Sequence, residues 1–140
     1  MEDTPETALC ICGRLRRASR ALTRAYDEAL APVGLTVTQF SILRHLSRMD
    51  RPTLAELAET TSHEKSGLWR TLQPLIRMGL VSSGPVEGLR GARLALTTTG
   101  EALLADALPL WTRAQGHVGD ALGDRRAQLL TLLKEVEALV

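Results

Sequence analysis

Residues 61–81, "TSHEKSGLWRTLQPLIRMGLV", place hydrogen-bond donors on one side of a short amphipathic helix. Leu68, Leu72 and Leu75 recur at helical spacing and predict an apolar stripe that packs inward. The opposite side combines hydroxyl, imidazole, indole and cationic groups: Ser62, His63, Lys65, Ser66, Trp69 and Arg70. Solvation of a helix requires only charge, so this mixture predicts a surface that donates hydrogen bonds to a polar or anionic partner.

Two arginines follow in a segment whose apolar period changes from helical to strand-like. "LVSSGP" and "ARLALT" predict two short strands, and the loop between them holds two glycines and Arg90. Alternation along the second strand directs Leu94 and Leu96 to one face and Arg93 to the other. We therefore expect Arg90 at the tip of a hairpin and Arg93 on its outer face.

Duplex DNA is a partner that fits this chemistry. An α-helix enters the major groove, where lysine and arginine bind guanine edges or phosphates. The free N–H groups of a helix start also bind phosphate, and Thr53 opens the preceding helix. An arginine at a hairpin tip can reach the minor groove. The predicted DNA contacts are Thr53, Ser62, His63, Lys65, Ser66, Trp69, Arg70, Arg90 and Arg93.

Simpler interpretations remain open for some of these residues. Trp69 could cap the small core, and His63 could be a solvated residue near the helix start. Arg77 lies at the C-terminal end of the helix, where a cation interacts favourably with the helix dipole, and it has no predicted DNA role. Residues 13–48 carry seven arginines and two acidic residues, a net charge of +5, which solvated helix faces would also explain.

Helix starts are marked by a threonine followed three residues later by Glu or Gln, so that each side chain satisfies an unpaired backbone N–H. The pattern occurs at Thr36, Thr53, Thr61 and Thr98. Pro74 and Pro109 are expected to bend their helices without ending them. With the apolar periodicity, helices are predicted over residues 6–31, after Thr36, over 54–59, from Thr61 to Met78, after Thr98 and over 124–139.

The composition predicts an ordinary globular chain. Its 140 residues fit a single domain, and its net charge of +1 identifies no partner by itself. No run of about 18 apolar residues occurs, so no membrane span is expected. The acidic N-terminus lacks the features of a signal peptide. We therefore expect a cytoplasmic protein whose two cysteines are reduced.

Enzymatic activity is not expected from the motifs. The sequence contains no glycine-rich phosphate loop, no nucleophile elbow and no carboxylate pair on one helix face. The three histidines are scattered, so neither a metal site nor a cofactor is predicted. The alternative to DNA binding is a winged-helix protein–protein interaction module, which would leave Arg70 and Arg90 without phosphates to meet.

The motifs "GLTVTQFSILRHL", "TLAELAETT", "GLWRTLQPLIRMGLV" and "LALTTTGEALL" occur in this order along the chain. Together they resemble the MarR family of bacterial transcriptional regulators over nearly the full length. The element order itself, mostly α with a small β-hairpin wing, is that of a winged helix-turn-helix. The resemblance implies one domain over residues 1–140, with the winged part at 36–97 and dimerisation helices at 6–31 and 98–139.

The same resemblance implies a mechanism. A homodimer is expected to bind a palindromic operator in double-stranded DNA and to repress transcription until a small ligand or an oxidant releases it. The family's wing carries Asp-x-Arg, in which the acid orients the arginine. Gly88 and Arg90 occupy those positions here, with Glu87 as the available substitute, which predicts a less preorganised wing.

Cys10 and Cys12 are candidates for the release mechanism. Two residues apart on a helix, they are expected to point to opposite sides and not to pair. Either they are small buried residues, or they sense oxidants because nearby arginines favour a thiolate. The alternative is a small aromatic or anionic effector between the dimer helices and the winged part. Arg17 and Trp111 would line its site, although Trp111 is also explained as core.

Overall fold

The computed structural model describes residues 9–140, which form six α-helices and one antiparallel hairpin. A single turn of 3-10 helix at Ala31–Val33 joins the first two helices. The hairpin β1–β2 and its loop, residues 81–96, are called the wing below. The elements in chain order are α1 Ile11–Leu30, α2 Val37–Arg48, α3 Leu54–Thr61, α4 Lys65–Arg77, β1 Val81–Pro85, β2 Ala92–Leu96, α5 Thr98–Leu122 and α6 Arg125–Glu137.

This element order confirms the predicted mostly α fold with a hairpin wing. Both predicted strands are present to within one residue at either end. Helices α4 and α5 continue through Pro74 and Pro109, as expected. Within residues 9–140, no helix combines the length and the apolar character that crossing a bilayer requires.

Two of the four predicted helix starts are confirmed. Thr36 forms a complete capping box: its hydroxyl accepts from the Gln39 N–H at 3.2 Å, and the Gln39 side chain accepts from the Thr36 N–H at 3.0 Å. Thr53 caps α3 by accepting from the Glu56 N–H at 3.2 Å. These caps satisfy N–H groups that a helix start would otherwise leave unpaired.

The other two predicted caps are wrong. Thr61 is the last residue of α3, where its hydroxyl donates to the Leu57 carbonyl at 2.8 Å, so it is not available to cap α4. Helix α5 is capped one residue before the predicted position, because the hydroxyl of Thr97 accepts from the Gly100 N–H at 3.0 Å. Adjacent threonines at 97–99 made the correct cap ambiguous in the sequence.

Helix α1 begins later than the periodicity predicted. Its predicted start at Glu6 lies outside the described residues, and Leu9 and Cys10 precede the helix. Cys10 is the N-cap, with its sulfur accepting from the Gly13 N–H at 3.4 Å. The apolar stripe expected to include Leu9 therefore starts within the helix proper, beyond Ile11.

The hydrophobic core lies between α2, α3, α4 and the wing. The outer helices α1 and α5 contribute Leu30 and Ala107 to it, whereas α6 contributes no fully buried side chain. Large apolar side chains on the outer helices consequently remain exposed in the single chain. The buried apolar residues are Leu30, Leu35, Phe40, Ile42, Leu43, Leu46, Leu57, Ala58, Leu68, Leu72, Leu75, Leu80, Val81, Leu94 and Ala107.

A tight joint holds the start of α5 against the end of α4. The Thr97 N–H donates to the Leu80 carbonyl at 3.0 Å. Gly100 packs directly on the same carbonyl, and a Cβ at Gly100 would lie 2.1 Å from that oxygen. This approach explains why a glycine follows the threonine in "LTTTG", and it fixes the direction in which α5 leaves the core.

Candidate nucleic-acid interface

A sharp turn between α3 and α4 sets the direction of α4. Ser62 adopts the left-handed conformation with φ 56°, which is uncommon for a residue other than glycine. The His63 N–H then donates to the Ala58 carbonyl at 2.9 Å and closes the end of α3. Ser62 and His63, both predicted DNA contacts, are exposed at this turn.

Helix α4 has the two faces that the sequence predicted. Leu68, Leu72 and Leu75 are fully buried in the core. Lys65, Ser66 and Arg70 are exposed on the face turned away from it, as expected. The helix therefore presents a cationic, hydroxyl-bearing surface that is anchored from behind by three leucines.

The N-terminus of α4 has no side-chain cap. Glu64 occupies the N-cap position, but its carboxylate accepts no hydrogen bond from the first turn. The first N–H groups of a helix have no partner within the helix and carry the positive end of its dipole. An anion near Lys65 and Ser66 would therefore meet both backbone donors and side-chain donors.

Trp69 lies between α4 and the wing. Its side chain is 39% exposed, so it neither caps the core completely nor projects freely into solvent. It lines a cavity of about 310 Å³ together with Leu54, Ser83, Ala92 and Leu94. The indole thus connects the exposed face of α4 with the base of the hairpin.

The wing is a regular hairpin whose loop presents Arg90. Strand pairing runs from Val81 opposite Leu96 to Pro85 opposite Ala92. Arg90 is exposed in the loop. Gly88 and Gly91 on either side of it have φ angles of 82° and 72°, values that residues other than glycine rarely adopt.

Arg93 differs from its predicted placement on a free outer face. Its side chain is 15% exposed, because the guanidinium turns back toward the protein. Nε donates to the Arg90 carbonyl at 3.0 Å, and Nη1 donates to the Arg51 carbonyl at 3.4 Å. Nη1 also lies 3.6 Å from a carboxylate oxygen of Glu56. The alternation of the strand was correct, but a long side chain can fold over a strand edge, and period alone does not show this.

The remaining cations of this surface are not neutralised by carboxylates of the described residues. Among residues 9–140, the ion pairs are Arg51 with Asp50 at 3.4 Å and Arg93 with Glu56 at 3.6 Å. Lys65, Arg70 and Arg90 therefore have no carboxylate within ion-pair distance in the described part of the chain. In particular, Glu87, the available substitute for the missing wing acid, forms no ion pair with Arg90.

Both cysteines are exposed and form no disulfide in the described chain, so the interpretation as buried helix residues is wrong. Cys10 lies outside the regular helix as its N-cap, and the argument from opposite helix sides does not apply to it. Arg17 is exposed nearby and shares a shallow groove of about 400 Å³ with Cys10 and other α1 arginines. A redox role for the cysteines stays a prediction.

Trp111 belongs to the edge of the core. Its ring stacks on Phe40 with 5.6 Å between the ring centroids, and the Arg44 guanidinium lies 4.4 Å from its centroid. This arrangement joins α2 to α5 through an aromatic stack and a cation–π contact. Arg17 lines the groove on α1 whereas Trp111 packs on Phe40, so these two proposed effector residues lie at different places in the described chain.

Sequence reasoning missed two residues that position these elements. Thr97 donates to the Gly79 carbonyl at 2.6 Å while it caps α5. Asp27 of α1 accepts from the Val37 N–H at 2.7 Å and so fixes the start of α2. The motif that contains Thr97 was visible in the sequence, whereas nothing near Asp27 indicated a partner ten residues away.

A partly buried hydrogen bond links α1 to α5. The Tyr26 hydroxyl donates to the side-chain oxygen of Gln115. Burial raises the pKa of Tyr26 above its usual value, and the positive charge of Arg126 opposes that shift. The tyrosine therefore remains a protonated donor at neutral pH.

Metal binding has no support in the described residues. Within 9–140, no group of three or more His, Cys, Asp and Glu side chains is arranged to hold a metal ion.

Comparison with known proteins agrees with this geometry. The sequence profile of the MarR family matches residues 33–88. The M. tuberculosis transcriptional regulator MosR is 39% identical, covering 94% of this chain and 98% of its own, with a TM-score of 0.78. No functionally curated protein matches the chain in sequence.

Two further similar structures contain DNA. The transcriptional repressor CouR, bound to a 23-mer DNA duplex, is 28% identical over 98% of this chain and 99% of its own, with a TM-score of 0.86. A cysteine-to-serine mutant of MarR from E. coli, in complex with operator DNA, is 26% identical over 96% and 99%, with a TM-score of 0.84.

Proposed function

This chain belongs to the MarR family of DNA-binding transcriptional regulators, and from that premise we propose that it represses transcription as a homodimer on a palindromic operator. The observation that carries the proposal is the exposed face of α4, where Lys65, Ser66 and Arg70 stand beside an uncapped helix start. A helix with this face fits the major groove, and the wing carries Arg90 toward an adjacent groove.

The proposed contacts divide by chemistry. Arg70 projects from the middle of α4, where a forked guanidinium can read a guanine edge. Lys65, Ser66 and Thr53 lie at helix starts, where they would bind phosphates together with backbone N–H groups. Ser62, His63 and Trp69 frame this surface, and we propose that they complete the fit to the sugar–phosphate backbone.

Dimerisation is proposed from the outer helices. A groove of about 710 Å³ between α1, α5 and α6 is lined mostly by alanine, valine and leucine side chains, including Leu22 and Val118. Leu130, Leu132 and Val136 on α6 are also exposed in the single chain. A contiguous exposed apolar surface rimmed by polar residues is typical of a protein–protein interface. A second copy would cover it and place two α4 helices about 34–36 Å apart, one turn of DNA.

This proposal divides the single domain by role. Residues 36–97 would contact DNA, and residues 98–139 together with α1 would hold the dimer. Thr97, whose hydroxyl bonds the Gly79 carbonyl and caps α5 at Gly100, and the Phe40–Trp111 stack connect the two parts. A change in the spacing of the outer helices would therefore change the position of α4.

Release from DNA is proposed to follow oxidation or the binding of a small aromatic or anionic effector. The exposed thiols of Cys10 and Cys12 support the oxidant, because both are accessible and Cys10 caps α1. The test is operator affinity before and after peroxide. A loss of affinity in wild type that disappears in Cys10→Ser or Cys12→Ser supports oxidation, whereas an unchanged affinity in wild type excludes it.

DNA binding itself is tested by selection from random duplexes followed by affinity measurement across salt concentrations. We expect a palindromic consensus and a steep loss of affinity with salt, with a slope of about −0.9 per phosphate neutralised. The competing function, a winged-helix module for protein partners, predicts no enriched duplex and an interaction that changes little with salt.

A further inference from the structure

We propose that Arg93 is a positioning residue that holds the wing tip for Arg90 and does not itself bind DNA. The inference rests on the proposed DNA binding, but its structural part concerns contacts within the chain. Arg93 was predicted from the sequence as a DNA contact, and its guanidinium is directed at three protein groups.

The Arg93 side chain connects the wing loop to the segment before α3. Nε donates to the carbonyl of Arg90 at 3.0 Å. Nη1 donates to the carbonyl of Arg51 at 3.4 Å and lies 3.6 Å from Glu56 on α3. The planar guanidinium offers donors in fixed directions, so one side chain can bind both sides at once.

The acceptor on the α3 side is itself held in place. Arg51 adopts a left-handed backbone conformation with φ 45°, which is unfavourable for a residue with a side chain. The next residue, Pro52, is buried, and its carbonyl accepts from the Leu94 N–H at 2.9 Å. Residues 51 and 52 therefore run beside β2 and present two carbonyls to it in succession.

The wing loop needs such a tie because little else restrains it. Gly88 and Gly91 flank the tip, and glycines increase the number of conformations that a loop can adopt. Inside the loop, the Leu89 N–H donates to the Val86 carbonyl at 3.1 Å. Arg90 has no acidic partner among residues 9–140, so the contact from Arg93 to its carbonyl restrains its backbone directly.

The two arginines also differ in how far their side chains are buried. The Arg93 side chain is 15% exposed, whereas Arg90 is exposed at the tip. For Arg93 to bind a phosphate, it would have to give up its bonds to Arg51 and Arg90 and its pairing with Glu56. For Arg90, binding the same phosphate would break no bond within the described chain.

The first test compares Arg93→Ala, Arg93→Lys, Arg90→Ala and the double variant Arg90→Ala/Arg93→Ala by operator affinity across salt. We expect Arg93→Ala to weaken binding about tenfold, the scale of a lost hydrogen bond to a charged group, without changing the salt slope. Arg93→Lys should behave like Arg93→Ala, because an ammonium keeps the charge but cannot bridge both carbonyls. In the Arg90→Ala background, Arg93→Ala should have almost no further effect.

The opposite pattern would overturn the proposal. If Arg93 binds a phosphate, replacing it by alanine reduces the magnitude of the salt slope by about 0.9. Lysine at the same position then restores most of the affinity, and the effects of the Arg90 and Arg93 substitutions add.

A second measurement requires no DNA. Hydrogen exchange at the Leu94 amide and in residues 86–91 should be faster in Arg93→Ala and Arg93→Lys than in wild type, and unchanged in Arg90→Ala. Unchanged exchange in all variants would refute the positioning role even if DNA binding is confirmed. If wild type binds no duplex while exchange responds as expected, the proposed function fails and the tie between Arg93 and Arg90 stands.

Discussion

The hydroxyl of Thr97 donates to the carbonyl of Gly79 at 2.6 Å and accepts from the N–H of Gly100, so one side chain closes α4 and opens α5. The end of α4 and the start of α5 therefore meet at a polar joint. Gly79 begins the segment G-L-V, and Thr97 and Gly100 lie in the segment L-T-T-T-G. Pairing of β1 with β2 brings these two segments together.

Replacing Gly100 by alanine should break this joint. A Cβ would lie 2.1 Å from the Leu80 carbonyl oxygen, so the backbone of α4 or α5 must move. We expect a loss of about 2 kcal/mol or more of unfolding free energy, within the upper range for overpacked sites. Urea denaturation followed by circular dichroism measures it.

Gly67 provides the matched control for that experiment. It also lies inside a helix, but beyond its chain neighbours and the backbone of its own helix, no atom lies within 4 Å of the position that a Cβ would occupy. Gly67→Ala should leave stability unchanged or raise it by roughly 0.5–1 kcal/mol, the usual gain from alanine in a helix interior. Equal effects of the two substitutions would show that the close approach at Gly100 is not the cause.

Helix propensity and apolar period were sufficient for most of the fold. They located α2, α4 and both strands because burial of Leu68, Leu72 and Leu94 is a local, repeating requirement. They failed at Thr61, which belongs to the end of α3, and at Thr97, where adjacent threonines offer alternative caps. They also missed the turned-back Arg93, since its acceptor at Arg51 is 42 residues away.

The candidate DNA surface was predictable from the same apolar period. Lys65, Ser66 and Arg70 share a face because the leucines opposite them must be buried, and this follows from sequence spacing alone. Contacts between elements that are distant in the sequence did not follow. Arg17 and Trp111 were grouped by chemistry, and packing placed Trp111 on Phe40 instead.

Substituting Leu22 by aspartate should prevent dimerisation. Leu22 is 39% exposed and lines the apolar groove between α1 and α5, so a carboxylate there would be desolvated on association. We expect a monomer at micromolar concentration by light scattering, together with loss of operator binding. Leu89→Asp, at a similarly exposed leucine on the wing loop, should leave the assembly unchanged. A dimeric Leu22→Asp protein would remove this groove from the interface.

Tyr26 should titrate above its ordinary pKa of 10.0, because burial disfavours the tyrosinate. A raised folded-state pKa means that this group's contribution to stability is complete below pH 10 and is lost as pH rises through the folded pKa. Since the chain has one tyrosine, absorbance near 295 nm follows it directly. A midpoint at or below that of the unfolded chain would contradict the partly buried hydrogen bond to Gln115.

Arg70→Ala should weaken operator binding by about 1–3 kcal/mol if the guanidinium reads a base, and should relax sequence preference at one position of each half-site. Arg77→Ala is the matched control. It removes an equally charged side chain from the C-terminal turn of the same helix, where no DNA contact is proposed. Affinities of both variants for the selected operator and for its single-base substitutions measure the difference. Equal losses would indicate that general charge, and not base reading, explains the effect of Arg70.

The most direct measurement is the affinity of the wild-type protein for duplexes from its own genome, determined at several salt concentrations. We expect a palindromic site bound by two copies, with a log–log salt dependence steep enough for several phosphate contacts. If no duplex is preferred over random DNA in dilute buffer, or if affinity does not change with salt, α4 and the wing are not a DNA-reading surface.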